Sequence, residues 1–402
     1  MILLIVTLLL VCHIFFTIKL KFIQRYTLSG IKYTFSRKEN EQGIGTYSAF
    51  AAALGTTVGP GNIVGVAVAI SAGGVGSIFW MWVCGVLSMS TKYAESYLAL
   101  KYADNGVGGT MTLLKTLNKP TLSLIWTLAC AACGLFMGAA VPSSSLAAVL
   151  PFDNWQSGVV LAFLTIVTIS LGFNGIAKIS SLLVPIMSIS FLGFCIFIIF
   201  DNVSLVPAIL KQIFCEAFDI SSLFGGTMGA AVKSGVTRGL YSNESGLGSG
   251  GVLAAESGDK NIVKCSLSAM TTAFWDTVVM CSITGIAFAL CGAKLGDNPN
   301  IAVKSTFASY PFGSLFLSVS MSLFVFATVI GWYYVARRVL LYSFKSTDLY
   351  DAAFAALVFF GAVLPPSFLW SAADTLNVFM LLPSLYTLIR LSNKINLYIT
   401  NK

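Results

Sequence analysis

Gly55-Thr56-Thr57-Val58-Gly59-Pro60-Gly61-Asn62 is the stretch on which the fold turns. It lies inside an apolar run extending from about residue 44 to about residue 70, and roughly 20 apolar residues suffice to cross a bilayer. Gly55 and Gly59, and again Gly61 and Gly65, have the spacing of closely packed membrane helices. Packing alone, however, requires neither Pro60 between two glycines nor Thr56, Thr57 and Asn62 in mid-span. The stretch therefore reads as a helix broken at membrane depth, with freed amides and carbonyls able to meet a carboxylate and a cation. It is not a phosphate-cradling loop, because no strand precedes it and neither GxGxxG nor GK[ST] is present.

The rest of the chain agrees with a bilayer setting. Of 402 residues, 56% are hydrophobic and 10% charged, with a mean hydropathy of +0.85, whereas a soluble domain carries about 25% charge. No separate soluble domain fits. The net charge of +8 would suggest nucleic acid in a soluble protein, but the lysines and arginines fall mostly between apolar runs. They describe topology, and the expected surroundings are membrane lipid. The cysteines lie mostly in apolar stretches, where a thiol behaves as a small hydrophobe. Cys130 and Cys133 form a lone CxxC with no histidine nearby, which does not make a metal site. Met1 to Thr17 lacks a basic n-region and a cleavage site, and reads as a retained helix.

About eleven apolar segments are long enough to span. They run approximately over 1–18, 44–70, 75–100, 121–150, 156–173, 179–200, 206–240, 264–291, 312–336, 350–365 and 370–390, with 241–263 as a polar connection. Basic residues alternate in step with these crossings. They concentrate in the segments around Lys19 to Lys38, Lys101 to Lys119, Lys178, Lys260 to Lys264, Arg337 to Lys345 and Arg390 to Lys402, which the positive-inside rule puts in the cytoplasm. The N-terminus is then outside and the C-terminus inside. A second interrupted segment, Leu223-Phe224-Gly225-Gly226-Thr227-Met228-Gly229, lies within 206–240. Once the first helix and its basic loop (1–40) are set aside, the two breaks occupy the first and sixth positions of a five-plus-five arrangement, with repeats over 44–200 and 206–390. Paired broken helices at corresponding positions are the best sequence pointer to a transport site.

Charges in or near these spans are functional candidates. Asp276, in Phe274-Trp275-Asp276-Thr277, lies deepest and is a coupling or gating candidate, as is Glu95. Glu95 follows Lys92 by three residues and reads first as an ordinary i,i+3 ion pair. Asp374 reads as an outside-facing cap, and Lys233 and Arg238 as charges near a helix end. The only histidine, His13, is in the peripheral first helix, leaving no Cys-His or Ser-His arrangement for an enzyme.

Several longer motifs resemble the alanine or glycine:cation symporter family. They are Gly55 to Ala67, Gly73 to Val83, Thr91-Lys92-Tyr93-Ala94-Glu95, Arg238-Gly239-Leu240-Tyr241-Ser242-Asn243-Glu244-Ser245-Gly246-Leu247-Gly248-Ser249, Phe274 to Thr277 and Ala327 to Tyr334. The resemblance spans residues 40–390. It implies an all-α membrane fold of five-plus-five inverted repeats with broken first and sixth core helices and an extra N-terminal helix. It also implies sodium-coupled symport of a small neutral amino acid across a bacterial-type cytoplasmic membrane. Sodium would sit at the carbonyls of Gly55 and Val58 with the Thr328 hydroxyl, and the substrate near Thr56, Thr57, Gly59, Gly61, Asn62, Gly225, Gly226, Thr227 and Trp332. The chain departs from the family pattern at Pro60, Pro142, Thr227 and Ala327, which bears on substrate identity more than on fold. Competing readings are coupling to protons through Asp276 or Glu95, an uncoupled carrier, and a paralogue that binds without transporting.

Overall fold

The computed structural model describes residues 2–36, 45–218, 227–258, 261–294 and 296–396. In chain order the α-helices are α1 (Ile2–Lys19), α2 (Thr27–Ser36), α3 (Thr46–Thr57), α4 (Val64–Gly73), α5 (Ser77–Lys101), α6 (Thr110–Thr116), α7 (Pro120–Cys133), α8 (Val141–Ala147), α9 (Asn154–Ser170) and α10 (Gly172–Asp201). They continue as α11 (Val206–Ala217), α12 (Thr227–Asn243), α13 (Ser249–Ala255), α14 (Ile262–Ala273), α15 (Ser282–Leu290), α16 (Pro299–Ala308), α17 (Gly313–Ser343), α18 (Asp348–Val363) and α19 (Pro366–Leu391). Two π-helical turns, Gly134–Ala140 and Phe274–Cys281, join α7 to α8 and α14 to α15 without interrupting either helix. Such turns concentrate at functional sites.

Five helices are long and apolar enough to cross a membrane alone: Pro120–Ala147, Gly172–Asp201, Ile262–Leu290, Gly313–Ser343 and Pro366–Lys394. Two bent pairs meet the same test together, Val6–Lys19 with Ile23–Ser36 at 66° and Thr46–Thr57 with Pro60–Gly73 at 55°. The remaining segments expected to span correspond to α5, α9, α11 with α12, and α18, which are shorter or more polar. At the centre α5 packs against α1, α12, α13 and α14. His13, fully buried on α1, shares a 2.7 Å hydrogen bond with Thr91 of α5, so the single histidine is a packing residue between two helices.

The first break is where the sequence places it. Val58 leaves the helix at φ −75° and ψ 94°, Gly59 is extended, and Pro60–Asn62 makes one 3-10 turn. Proline suits the first position of such a turn because an amide there has no helical partner.

The expected second break cannot be followed through the described residues. Gly225 and Gly226 lie outside the described residues, and Thr227 already begins α12. The segment expected as one span over 206–240 opens with α11 and ends within α12. A discontinuity among the described residues falls between Asn243 and Ser249, inside what the sequence suggests is a polar connection. Glu244, Gly246 and Gly248 there all have left-handed backbone, at φ +53°, +94° and +92°. Glycine takes this conformation freely and other residues do not. The half-helices pair across the breaks, α4 against α12 and α3 against α13.

Candidate substrate and cation site

Asn62 joins the two breaks. Its side-chain oxygen accepts from the Gly59 amide at 2.9 Å, which ties the first break upon itself. Its amide nitrogen donates to the Asp276 carboxylate at 2.8 Å, the Asp276 carbonyl at 3.0 Å and the Ser242 hydroxyl at 3.1 Å. Asp276 is completely buried, and its second carboxylate oxygen accepts from Ser242 at 2.7 Å and Thr277 at 2.7 Å. Asp276 sits on the π-helical turn between α14 and α15, so three elements converge on one polar hub. Gly61 faces the second break, because a Cβ built there would lie 4.0 Å from the Ser242 Cα.

Charges from α5 hold the second break. The Lys92 ammonium donates to the Asn243 carbonyl at the last residue of α12, at 3.2 Å. The Glu95 carboxylate accepts from the amides of Gly246, inside the break, and Gly251, in the first turn of α13, each at 2.9 Å. A cation at a helix C-terminus and an anion at a helix N-terminus both complement the macrodipole. The expected Lys92–Glu95 ion pair is therefore replaced: no contact within 4.0 Å joins the two charges among the described residues, and each serves a different helix end. Glu244, between those ends, accepts from the Trp332 indole at 2.9 Å and from the Ser249 hydroxyl at 2.9 Å. Trp126 of α7 adds an indole bond to the Leu247 carbonyl at 3.1 Å.

The residues expected around sodium are partly brought together. The Thr328 hydroxyl lies 3.4 Å from the Gly55 carbonyl and 3.0 Å from the Phe324 carbonyl of its own helix. A Cβ on Gly59 would overlap Thr328, so glycine is what admits that hydroxyl to the break. The Val58 amide is spent on Leu54. Thr56 and Thr57 donate back to Ala53 and Leu54, leaving only hydroxyl lone pairs free for a ligand. Asp374 is not a cap. It lines a cavity of about 70 Å³ between α1, α12 and α19 with Thr237, Ser245 and Asn377, while Arg238 stacks 4.8 Å above the Trp370 ring. Lys233 is exposed.

Trp332 is buried against the π-helical turn Gly134–Ala140, where a Cβ on Gly138 would overlap its side chain. Trp332→Phe keeps that packing but strips Glu244 of its indole donor. Removing a hydrogen bond to a buried acidic group costs ~1–3 kcal/mol, and a lowered melting temperature in detergent is the expected result.

A broken first helix meeting a broken sixth beside a polar hub is an arrangement with known counterparts. The profile of the sodium:alanine symporter family matches residues 1–401. The chain belongs to that family. The sodium/alanine symporter AgcS of Methanococcus maripaludis is 37% identical over 94% of this chain and 89% of its own length. The probable sodium/glutamine symporter GlnT of Bacillus subtilis is 30% identical over 97% of this chain and 85% of its own length. Among solved structures, MhsT in complex with L-phenylalanine superposes with a TM-score of 0.61 at 12% identity, covering 88% of this chain and 90% of that one. The nucleobase-cation-symport-1 transporter Mhp1 superposes at 0.54 with 15% identity, covering 89% of this chain and 81% of that one. The fold is thus the inverted-repeat, broken-helix architecture of cation symporters, and this member of the family is a membrane protein of cation-coupled amino-acid transport.

Proposed function

We propose that the chain carries a small neutral amino acid together with sodium by alternating access, the site lying between the breaks at Val58–Asn62 and Asn243–Gly248. The observation that carries this reading is the Asn62–Ser242–Asp276 hub. It fixes two sets of freed backbone groups against each other, and such a pair can hold a zwitterion and a hard cation at once. Sodium prefers oxygen ligands, which the carbonyls of Gly55 and Val58 and the Thr328 hydroxyl provide. Gly61 and the break after Asn243 offer amides for the substrate carboxylate, the Gly59 amide being held by Asn62. We assign the repeats to 44–200 and 206–390, with the N-terminus outside and the C-terminus in the cytoplasm of a bacterial-type cell. Asp276 acts in this reading as the anchor of the site rather than as a proton carrier, because donors already occupy both its oxygens.

Alanine or glycine is the substrate class proposed first. The likeness to a probable glutamine symporter, together with Pro142 and Thr227 at positions where the family pattern differs, makes a larger polar amino acid the alternative to include. The test is uptake of labelled amino acids into proteoliposomes under an inward sodium gradient, with choline replacing sodium in parallel. Sodium-dependent uptake of alanine or glycine supports the proposal, and no uptake of any amino acid under either gradient defeats it. Thr328→Ala should raise the sodium concentration for half-maximal uptake several-fold, the order of one hydroxyl ligand, while leaving substrate KM at saturating sodium unchanged. An unaltered sodium dependence removes Thr328 from the cation site.

A further inference from the structure

Pro185 stands inside α10. Proline has no amide hydrogen, so the carbonyl four residues earlier, that of Ser181, loses its helical donor. A carbonyl freed in this way is open to another donor. The Ser181 hydroxyl does not serve, since it donates to the Lys178 carbonyl at 2.8 Å. The donor is Tyr47, the second residue of α3, whose hydroxyl reaches the Ser181 carbonyl at 3.3 Å. One turn further along α10, Val184 packs against Gly55, a Cβ built on the glycine lying 3.0 Å from the valine side chain. α10 is therefore the wall behind the carbonyl that faces Thr328, and Tyr47 ties the far end of α3 to that wall. Between these two contacts lies a cavity of about 200 Å³ whose lining includes Tyr47, Leu54, Val58, Pro185 and Trp275. Its walls are almost wholly apolar, so the directional contact across it is the Tyr47 hydroxyl, and the cavity leaves α3 room to shift.

We infer that Tyr47 is a positioning residue for the cation site: its hydroxyl substitutes for the amide that Pro185 lacks and holds the half-helix α3 on α10 while the site is closed. Breaking this bond frees α3 to move away from α10, carrying Gly55 away from Thr328. The consequence for transport rests on the alternating-access reading above, whereas the geometry of the tie does not.

A two-by-two set of variants tests it: the full-length wild type, Tyr47→Phe, Pro185→Ala and the double variant, each purified in detergent. Amide hydrogen exchange over residues 46–57 is the readout. Tyr47→Phe alone should speed exchange roughly fivefold, the size of one net hydrogen bond. Pro185→Ala restores a helical donor to Ser181, so in that background Tyr47→Phe should change exchange less than about twofold, which is non-additivity between coupled groups. In parallel, Tyr47→Phe should raise the sodium requirement for uptake, and Pro185→Ala should largely restore it. An equal increase in exchange in both backgrounds, or none in either, overturns the inference. If the wild type takes up no amino acid, the transport reading fails separately, and the exchange cycle still decides the role of Tyr47.

Discussion

Asp276→Leu is expected to reduce sodium-driven amino-acid uptake to the background of protein-free vesicles. The substitution removes the acceptor for three donors at once: the Asn62 amide, the Ser242 hydroxyl and the Thr277 hydroxyl. All four residues are buried; the Ser242 and Thr277 hydroxyls each lose a charged acceptor at a cost of ~1–3 kcal/mol or more, while the Asn62 amide keeps the backbone carbonyl of residue 276 and the Ser242 hydroxyl. The total is a sizeable fraction of the stability of an ordinary domain, about 5–15 kcal/mol, and it is concentrated where the two breaks meet. Helices away from the hub keep their own packing, so insertion and helical content by circular dichroism should survive while the site does not. Asp276→Asn should be milder, losing about ten- to a hundredfold in Vmax, since an amide retains one acceptor oxygen but turns its NH2 toward a donor. A residual uptake with the wild-type pH profile in that variant agrees with an anchoring role. A leucine variant that retains more than about a tenth of wild-type uptake, or an asparagine variant whose pH profile is shifted, would show that the hub does not act as described.

Much of the architecture is legible in the sequence because a bilayer imposes few solutions. Apolar runs of spanning length, separated by basic turns, must be helices, and the helices found follow those runs closely. The first break is legible because proline and glycine interrupt an apolar run where nothing else accounts for Thr56, Thr57 and Asn62. The break between Asn243 and Ser249 is not, and the reason is compositional. Gly225-Gly226 interrupts an apolar run and so draws attention, whereas Ser242-Asn243-Glu244-Ser245-Gly246-Leu247-Gly248 is polar enough to pass for a connection. The half-helix beyond it, α13, has only 7 residues, too few for helical periodicity to register. The available signal was Gly246 and Gly248 so close to Glu244, a charge next to an apolar stretch, followed at once by Val252-Leu253-Ala254. Asp276 and Trp332 could be chosen from the sequence as positions, but not by their partners, because those partners are remote in the chain.

Lys92 and Glu95 show the same limit and carry the second large prediction. Spacing of three along a helix is what an ion pair and two independent contacts have in common, so sequence cannot separate them. Their consequences are opposite. In an isolated ion pair, removing one charge leaves the other unpaired, and removing both restores much of the loss. Here each charge holds a different part of the backbone: the ammonium the carbonyl that closes α12, the carboxylate one amide of the break and one in the first turn of α13. Lys92→Met should therefore cost ~2–4 kcal/mol through an orphaned carbonyl and a lost charge at a helix C-terminus, and Glu95→Gln a similar amount at the N-terminus beyond it. The double variant should lose about the sum of the two, with no recovery, and uptake should vanish because the second break no longer holds its shape. Thermal unfolding of the two single variants and the double in the same detergent checks this. A double variant more stable than Lys92→Met alone would return the pair to an ordinary ion pair. A sum would establish that one turn of α5 fixes a helix break by giving each of its ends the charge that its dipole favours.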